Sequence, residues 1–530
     1  MPDTASLGYV PHIILGAYLV LLLVFGLVGY LKGSTSSEDY YLAGRGQGWW
    51  VSALTIMATF FSSFALLGAP GMVYRDGVVF ALFSLNVPLA GTAIYFLGSR
   101  IRRQGQAQGH ITPADMFAAH YNSPVGLRLV VALIGLLYAI PYVVIQIQAG
   151  GILSQQLFSS PQAFERGAVL LALITMLYIM VGGMRSVAWT DVVQGSLLVG
   201  GMLLGGLAIV TLLGGPGPFF QAVGQLPPKS LSVPGTAGHW TPEILFTASV
   251  FASLGSMVQP AQWMRFYAAR SDAVLRRSAL IFAVVLTACF FFGVMLIGLG
   301  GQVLYPLLDE SGAYRLDGQG RVLPHPGVGA SAGDFDQILV VVLKTHLPDL
   351  LGPVGVVLAA LVLVAIMAAA MSTADSSLHA TSAMLTRDIY LPFIRPQATA
   401  KERAWVGRLV IAFITLLALT LVIIGRRSES NPLGMIVILG LLAIAFSTQL
   451  LPATIDMLFV KRGTRLGAIC GMLTGLAIVF GLSPFLPMLF GDGLQSIVGA
   501  MKKMMDTGAW GLTGNLLVFA GVSWVQGRKS

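Results

Sequence analysis

Apolar runs long enough to cross a lipid bilayer recur along all 530 residues of the chain, and they constrain its fold more than any other feature. A membrane-spanning helix needs about 20 consecutive, mostly apolar residues. Charged residues make up only 10% of this sequence, whereas they make up about 25% of an ordinary soluble domain. The chain cannot cover a water-soluble globule with polar surface, so we predict an all-α integral membrane protein.

Thirteen membrane-spanning helices are predicted from these runs, within a single transmembrane domain that covers residues 1–530. The first run follows no basic segment and is longer than the apolar core of a signal peptide, so we expect it to be retained. Two polar connections, 214–242 and 304–349, interrupt the series, and the second is expected to contain a short surface helix at residues 335–343. The predicted spans are 12–31, 49–74, 78–99, 125–157, 166–183, 187–213, 243–263, 275–303, 350–384, 405–425, 431–459, 464–490 and 507–527.

Basic residues give the chain a net charge of +9, but they lie at the ends of the apolar runs and form no single patch that would suit nucleic acid. Lysine and arginine accumulate in the cytoplasmic loops of membrane proteins. With thirteen spans and an external N-terminus, 21 of the 31 basic residues, Arg265 among them, fall on the cytoplasmic side. We therefore predict a multi-pass protein of the cell membrane, surrounded by lipid, with its N-terminus outside and its C-terminus in the cytoplasm.

Reactive and metal-binding side chains are too dispersed to indicate an enzyme. The seven histidines are scattered along the chain and only His379 lies deep in a predicted span, while Cys289 and Cys470 lie in apolar runs without metal-ligand spacing. We expect no catalytic residue, no organic cofactor and no obligate protein partner. A sensor would need a signalling domain, for which the few residues after the last span leave little room; a channel stays open as an alternative to a carrier.

Two predicted spans contain residues that interrupt a helix at matching places in the two halves of the chain. The second span contains residues 58–63 (Ala-Thr-Phe-Phe-Ser-Ser) followed by Gly68-Ala69-Pro70-Gly71, and the seventh contains Ser253-Leu254-Gly255-Ser256 followed by Gln259-Pro260. Paired interruptions of this kind are typical of inverted-repeat transporters, which bind their cargo where the helices are unwound. An ordinary proline kink is the alternative for either span taken alone.

Hydroxyl and carboxylate side chains are concentrated late in the ninth span. Ser372, Asp375, Ser376 and His379 share one helical face, at spacings of three, four and seven residues. Ionisable residues inside a span are costly and normally serve a function, and oxygen-rich clusters suit alkali cations. The alternatives are that the hydroxyls bond back to their own helix or join neighbouring helices, and that Asp191, at the start of the sixth span, only favours a helix N-terminus.

Four motifs in this order resemble the sodium:solute symporter family, and the resemblance extends over residues 10–490. It implies a LeuT-like fold of two five-helix inverted repeats, at about 49–213 and 243–459, with one extra N-terminal helix (12–31) and two extra C-terminal helices (464–490 and 507–527). It also implies a sodium-coupled secondary active symporter that works by alternating access. The motifs are Asp39-Tyr40-Tyr41-Leu42-Ala43-Gly44-Arg45, Gly68-Ala69-Pro70-Gly71, Gly182-Gly183 leading into Trp189-Thr190-Asp191-Val192-Val193-Gln194, and Met371-Ser372-Thr373-Ala374-Asp375-Ser376.

The resemblance implies a main sodium site built from three backbone carbonyls and two hydroxyls, those of Ala58, Phe61, Ala369, Ser372 and Thr373. Some members of the family bind a second sodium near the aspartate of the Trp-Thr-Asp motif, which here would use Asp191 with Ser372, Asp375 and Ser376. Asp375 departs from members that have serine at its position. Its carboxylate has three open roles: strengthening that second site, carrying a proton, or pairing with His379.

The solute is predicted to be small and organic, with a short monocarboxylate or a pantothenate-like acid as first choice and a sugar or neutral amino acid as the alternative. The resemblance argues against proline, because proline carriers have an aspartate where this chain has Phe60. Sialic-acid-type members can have an arginine in the third core helix that meets a carboxylate, and this chain has none there.

The predicted solute-binding residues are Ser62, Ser63, Tyr142, Gln146, Gln259, Gln262 and Gln449. For each glutamine in this set the alternative role is a hydrogen bond between helices.

Overall fold

The predicted spans are helices in the structure, a computed structural model that describes residues 7–32, 37–158, 160, 162–318, 320–331, 333–427, 435–483 and 495–527. Eleven helices are long and apolar enough to cross a membrane, and two bent pairs raise the number of candidate spans to 13 within those residues. The predicted span 464–490 ends as a helix at Leu482, and residues 484–494 lie outside the described part of the chain. In chain order the candidate membrane-spanning segments are α1 (Val10–Val28), α2 (Trp49–Phe60), α3 (Phe64–Asp76), α4 (Val78–Ala107), α5 (Gly126–Leu157), α6 (Ala163–Met180), α7 (Ser186–Leu212), α8 (Pro242–Val258), α9 (Pro260–Ala268), α10 (Asp272–Leu304), α11 (Pro353–Ile394), α12 (Ala400–Arg426), α13 (Ile436–Val460), α14 (Arg465–Leu482) and α15 (Thr507–Gly527). Segments α6 and α7 are parts of one continuous helix, Ala163–Leu212.

The two interrupted spans are both broken helices, as predicted. Between α2 and α3 the chain bends by 60°, and Phe61 adopts an extended conformation with φ −94° and ψ 91°. Between α8 and α9 the bend is 52°, and Gln259 is extended with φ −60° and ψ 144°. Pro260 explains the second break, because proline lacks an amide hydrogen and disfavours the helical conformation in the residue before it.

The first break has a different local cause, since it lies at residues 61–63 and not at Pro70. The Ser62 hydroxyl oxygen accepts a hydrogen bond from the Phe64 amide at 3.1 Å, which replaces one of the helical bonds lost at the start of α3. Pro70 follows a π-helical turn at Phe64–Gly68 and lies inside α3. A serine side chain therefore caps the new half-helix, and the backbone carbonyls that precede it are left without helical partners.

The helix expected on the surface at residues 335–343 is buried instead. The structure has a 3-10 turn at Asp334–Gln337 followed by a helix at Ile338–Leu351, and the side chains from Phe335 to Leu343 are buried. Asp336 accepts a hydrogen bond from the Ile436 amide at the start of α13 at 2.9 Å. The turn at Asp334–Gln337 thus packs against α3 and bonds to the start of α13, while the helix at Ile338–Leu351 packs mainly against α11, α7 and α10. Hydropathy alone could not distinguish this buried position from a surface position.

A close approach of α8 to α13 depends on Gly255. A β-carbon at this position would lie 1.8 Å from the Thr448 hydroxyl oxygen, so we expect Gly255→Ala to destabilise the protein by about 1–3 kcal/mol through overpacking. The unfolding temperature of the detergent-purified variant measures this loss. Gly521→Ala is the matched control, because a β-carbon there meets nothing within 4 Å; equal unfolding temperatures for the two variants would contradict the prediction.

Candidate functional site

The break between α2 and α3 faces the hydroxyl pair of α11. The single hydrogen of the Ser372 hydroxyl is shared between the carbonyl oxygens of Ala58 (3.1 Å) and Ala369 (3.0 Å), and the Thr373 hydroxyl donates to the Ala58 carbonyl at 3.1 Å. All five predicted ligands for the main sodium site, including Phe61 in the unwound stretch, are buried. Residues more than 300 positions apart in the chain therefore meet at this place.

These oxygens have the chemistry that an alkali cation requires. Unwound carbonyls at the end of a broken helix coordinate sodium in transporters of this architecture, because their dipoles point out of the helix end. In the present arrangement the two hydroxyl hydrogens occupy the Ala58 carbonyl, and both hydroxyls could instead turn their lone pairs toward a cation. The set contains no charged side chain, which favours a monovalent ion over a divalent one.

A second polar cluster lies one to two helical turns away and joins α2, α7, α9 and α11. Asp191 accepts hydrogen bonds from the Thr55 hydroxyl and from the Arg265 guanidinium, the latter at 3.1 Å. The same guanidinium donates to the Ser376 hydroxyl and, at 3.1 Å, to the Thr55 hydroxyl. The Thr59 and Ser376 hydroxyl oxygens are 3.3 Å apart, so the cluster reaches toward the Ala58 carbonyl.

Asp375 belongs to this cluster and does not pair with His379. Its carboxylate accepts hydrogen bonds from the Tyr178 hydroxyl at 2.5 Å and from the Ser376 hydroxyl at 3.2 Å. His379 packs against the rings of Tyr40 and Tyr41, and neither of its ring nitrogens has a hydrogen-bond partner among the described residues. One of the three roles left open for Asp375 is thereby removed.

Arg265 is counted above among the basic residues that orient the chain, yet it is not an exposed loop residue. It is 1% exposed and ion-paired with Asp191 inside the protein. Helical spacing could have indicated this burial. Arg265 follows Gln262 by three residues on the half-helix that starts at Pro260, so the two side chains share a face. With Asp191 and Asp375 ionised, the cluster carries two negative charges and one positive charge, and one bound monovalent cation would make it neutral.

The predicted solute-binding residues of the first break lie together with α5. The Ser63 hydroxyl and amide donate hydrogen bonds to the side-chain oxygen of Gln146 at 2.7 and 3.3 Å, and the Gln146 amide donates to the Tyr142 carbonyl at 3.0 Å. The rings of Tyr142 and Tyr138 stand 5.0 Å apart. Tyr138 was not predicted, and its buried hydroxyl forms no hydrogen bond to any described residue.

At the second break two glutamines keep polar atoms free. The Gln262 amide donates to the Ile56 carbonyl at 2.9 Å, which joins α9 to α2, while its side-chain oxygen has no partner among the described residues. Both polar atoms of the Gln259 side chain are likewise buried without a partner there. Buried amides without partners cost free energy unless a ligand or water satisfies them, so these groups are candidates for binding a polar solute.

Gln449 lies away from these groups. Its side chain accepts a hydrogen bond from the Asn515 amide at 3.1 Å and donates to the Ala445 carbonyl at 2.9 Å, and Asn515 also donates to the Gln449 carbonyl at 2.8 Å. These bonds connect α13 with α15. The interhelical alternative therefore describes Gln449.

A family model of the sodium:solute symporter family matches residues 40–475, which cover both broken spans and the hydroxyl-rich part of α11. The chain belongs to the sodium:solute symporter family. Its members couple sodium to the movement of a small solute across a membrane, so this protein is a multi-pass membrane symporter that binds sodium and a small-molecule substrate. The family and the relatives described below are transporters and not enzymes.

Relatives of this symporter with known substrates include two proline carriers. The osmoregulated proline transporter OpuE of Bacillus subtilis (strain 168) is 28% identical over 469 residues, which cover 88% of this chain and 87% of that protein. The sodium/proline symporter of Escherichia coli (strain K12) is 27% identical over 471 residues, covering 87% of this chain and 85% of that protein. Both names give proline, a neutral amino acid, as the solute of those relatives, and neither gives a monocarboxylate or a pantothenate-like acid.

Among solved structures, a Na+-coupled sialic acid symporter in its substrate-bound, outward-open state matches with a TM-score of 0.74. The match covers 98% of each chain at 20% sequence identity, so it shows a shared fold and nothing about the solute. It confirms the predicted LeuT-like fold.

Proposed function

We propose that this symporter imports a small solute without net charge, of the neutral amino acid class, together with sodium. The observation that carries this proposal is the uncharged character of the groups at the two breaks: hydroxyls of Ser62, Ser63 and Tyr142, and amides of Gln146 and Gln259. The buried guanidinium nearby, which would otherwise balance the charge of an anionic solute, is already paired with Asp191. The names of the relatives point to the same class of solute.

A zwitterion suits two broken helices. The N-terminal ends of α3 and α9 present amide groups that favour a carboxylate, and the C-terminal ends of α2 and α8 present carbonyls that favour an ammonium group or a cation. Proline itself is not singled out. Phe60 occupies the position at which proline carriers have an aspartate, and its ring packs against Phe282 at a centroid distance of 5.0 Å.

Sodium is proposed to bind first, at Ala58, Phe61, Ala369, Ser372 and Thr373, with Asp191, Asp375 and Ser376 as a second ion site. Binding joins α2 to α11 and favours the conformation that accepts solute, because only differential affinity for two states can couple ion and solute. One positive charge moving inward gains about 2.3 kcal/mol per 100 mV of inside-negative potential, enough for roughly 50-fold accumulation of the solute.

We also propose that the N-terminus lies outside the cell and the C-terminus in the cytoplasm. The accessibility of cysteines placed in the loops to a membrane-impermeant reagent tests that orientation.

Solute identity is tested by uptake into proteoliposomes that contain the purified protein. Radiolabelled proline, other neutral amino acids, a sugar, lactate and pantothenate are compared with and without an inward sodium gradient. We expect saturable, sodium-dependent uptake of a neutral amino acid. Uptake of lactate or pantothenate alone would overturn the proposed solute class, and sodium current that does not saturate and needs no solute would indicate a channel.

Gln146→Ala is expected to raise the solute KM about fivefold, because it removes the acceptor that holds both the hydroxyl and the amide of Ser63. A hydrogen bond between uncharged groups contributes about 1 kcal/mol, and about 1.4 kcal/mol corresponds to a factor of ten. The sodium concentration for half-maximal uptake should change much less. Gln449→Ala serves as the control, since that side chain bonds to Asn515. If Gln449→Ala raised KM as much as Gln146→Ala, the assignment of Gln146 would be wrong.

A further inference from the structure

An apolar groove opens sideways between α4, α8 and α13, away from the ion and solute sites. Its volume is about 380 Å³. Its floor is buried and made mainly of Ala93, Leu97, Ser253 and Leu451, while the exposed rings of Phe96 and Phe459 form its walls. We call this feature the lateral groove. The small side chains of Ala93 and Ser253 are what leave the space open between the helices.

The polar groups in the lateral groove are already satisfied. The Ser253 hydroxyl donates to the Val250 carbonyl of its own helix at 2.9 Å, and the Thr92 hydroxyl donates to the Pro88 carbonyl of its own helix at 3.0 Å. Neither hydroxyl hydrogen is available to an occupant. The groove therefore selects for a hydrocarbon chain over a polar ligand.

One end of the lateral groove is cationic. The Arg100 guanidinium lies over the Phe459 ring at 4.4 Å from its centroid, and Lys461 and Arg462 follow Phe459 directly after α13. These three residues are exposed, and none of them forms an ion pair with the described residues. Arg103, one turn further along α4, differs in this respect because it pairs with Asp272 at 2.7 Å.

The length of the lateral groove matches one leaflet of a bilayer. It begins at Leu89 in the middle of α4, and the rise from there to Arg100 is about 16 Å at 1.5 Å per residue. The hydrocarbon core of a bilayer is about 30 Å thick, so one leaflet takes up about half of that. An occupant with an acyl chain along the groove would place its headgroup beside Arg100.

We propose that the lateral groove is a binding site for an anionic phospholipid, with one acyl chain against Ala93 and Ser253 and the phosphate beside Arg100. Arginine binds phosphate through several parallel hydrogen bonds, and basic residues next to a membrane attract anionic lipid. A second copy of the chain fits less well, because a helix with its side chains is about 10–12 Å across and would need a trough along the whole span. Two of the helices that line the groove contain π-helical turns, Ile94–Gly98 in α4 and Asp456–Val460 in α13. The backbone of these helices therefore defines the shape of the groove.

The test titrates phosphatidylglycerol or phosphatidylcholine into the delipidated, full-length protein in detergent and follows bound lipid by native mass spectrometry together with the unfolding temperature. The wild type should retain phosphatidylglycerol in preference and unfold at a higher temperature with it. Arg100→Gln should weaken apparent phosphatidylglycerol affinity about fivefold, and Thr92→Trp, which fills the groove from an exposed position, should weaken binding of both lipids at this site.

Matched controls are Arg277→Gln, an exposed arginine outside the groove, and Leu280→Trp, a lipid-facing position on α10 that is 67% exposed. Both should behave as the wild type. Equal binding of the two lipids by the wild type, an equal loss in Arg277→Gln, or unchanged binding in Thr92→Trp would each overturn the proposal in favour of nonspecific annular lipid. A lipid-independent dimer that Thr92→Trp dissociates, seen by light scattering, would assign the groove to a second copy.

Discussion

Arg265→Gln is expected to lose most of the correctly folded protein, because it leaves the carboxylate of Asp191 buried without its cationic partner. Removing one partner of a buried ion pair costs about 3–5 kcal/mol, a large fraction of the stability of most proteins. We expect a lower yield of monodisperse protein, a lower unfolding temperature in detergent, and little sodium-dependent uptake. Asp191→Asn should have a similar effect, since it leaves the guanidinium uncompensated.

The double variant Asp191→Asn/Arg265→Gln separates folding from ion binding. If the pair acts as a unit, removing both charges should restore much of the stability that each single change loses, and the difference measures the coupling between the two residues. Uptake should stay impaired in the double variant if Asp191 also serves a second ion. Arg321→Gln is the control, because its pair with Asp317 is an exposed one at the surface, where such pairs contribute about 0–1 kcal/mol. A wild-type unfolding temperature for Arg265→Gln would show that the buried pair is not required.

Thr373→Ala is expected to raise the sodium concentration for half-maximal uptake about 10- to 100-fold. The change removes one of the two hydroxyls that meet the Ala58 carbonyl. A hydrogen bond or contact to a charged group is worth about 1.5–3 kcal/mol, and about 1.4 kcal/mol corresponds to a factor of ten. Uptake rates measured over a range of sodium concentrations, at saturating solute, give the shift directly.

Two further variants make this result specific. Thr373→Ser keeps the hydroxyl and should restore most of the sodium affinity. Thr381→Ala removes a hydroxyl from the same helix that bonds only to the Ser377 carbonyl at 2.8 Å, so its sodium requirement should equal that of the wild type. An unchanged sodium requirement in Thr373→Ala would place the coupling ion elsewhere in the protein.

The spans and their interruptions could be predicted from the sequence because they depend on local chemistry. A run of about 20 apolar residues predicts a membrane helix wherever it occurs, and Pro260 restricts the residue before it in any tertiary context. The helix at Ile338–Leu351 shows the limit of that approach. A surface helix was predicted at 335–343, but the helix is buried against α11, α7 and α10, and the turn before it bonds to the start of α13, about 100 residues further along the chain.

The series of membrane helices, the two breaks and the hydroxyl-rich face of α11 follow from residue type and short spacing alone. The packing of the helices was needed to show that Arg265 pairs with Asp191, that Asp375 bonds to Tyr178 in place of His379, and that Gln449 joins α13 to α15. In each of these cases the partners come from different helices. Helical periodicity states which side chains share a face, but the packing of one helix against another determines which faces meet.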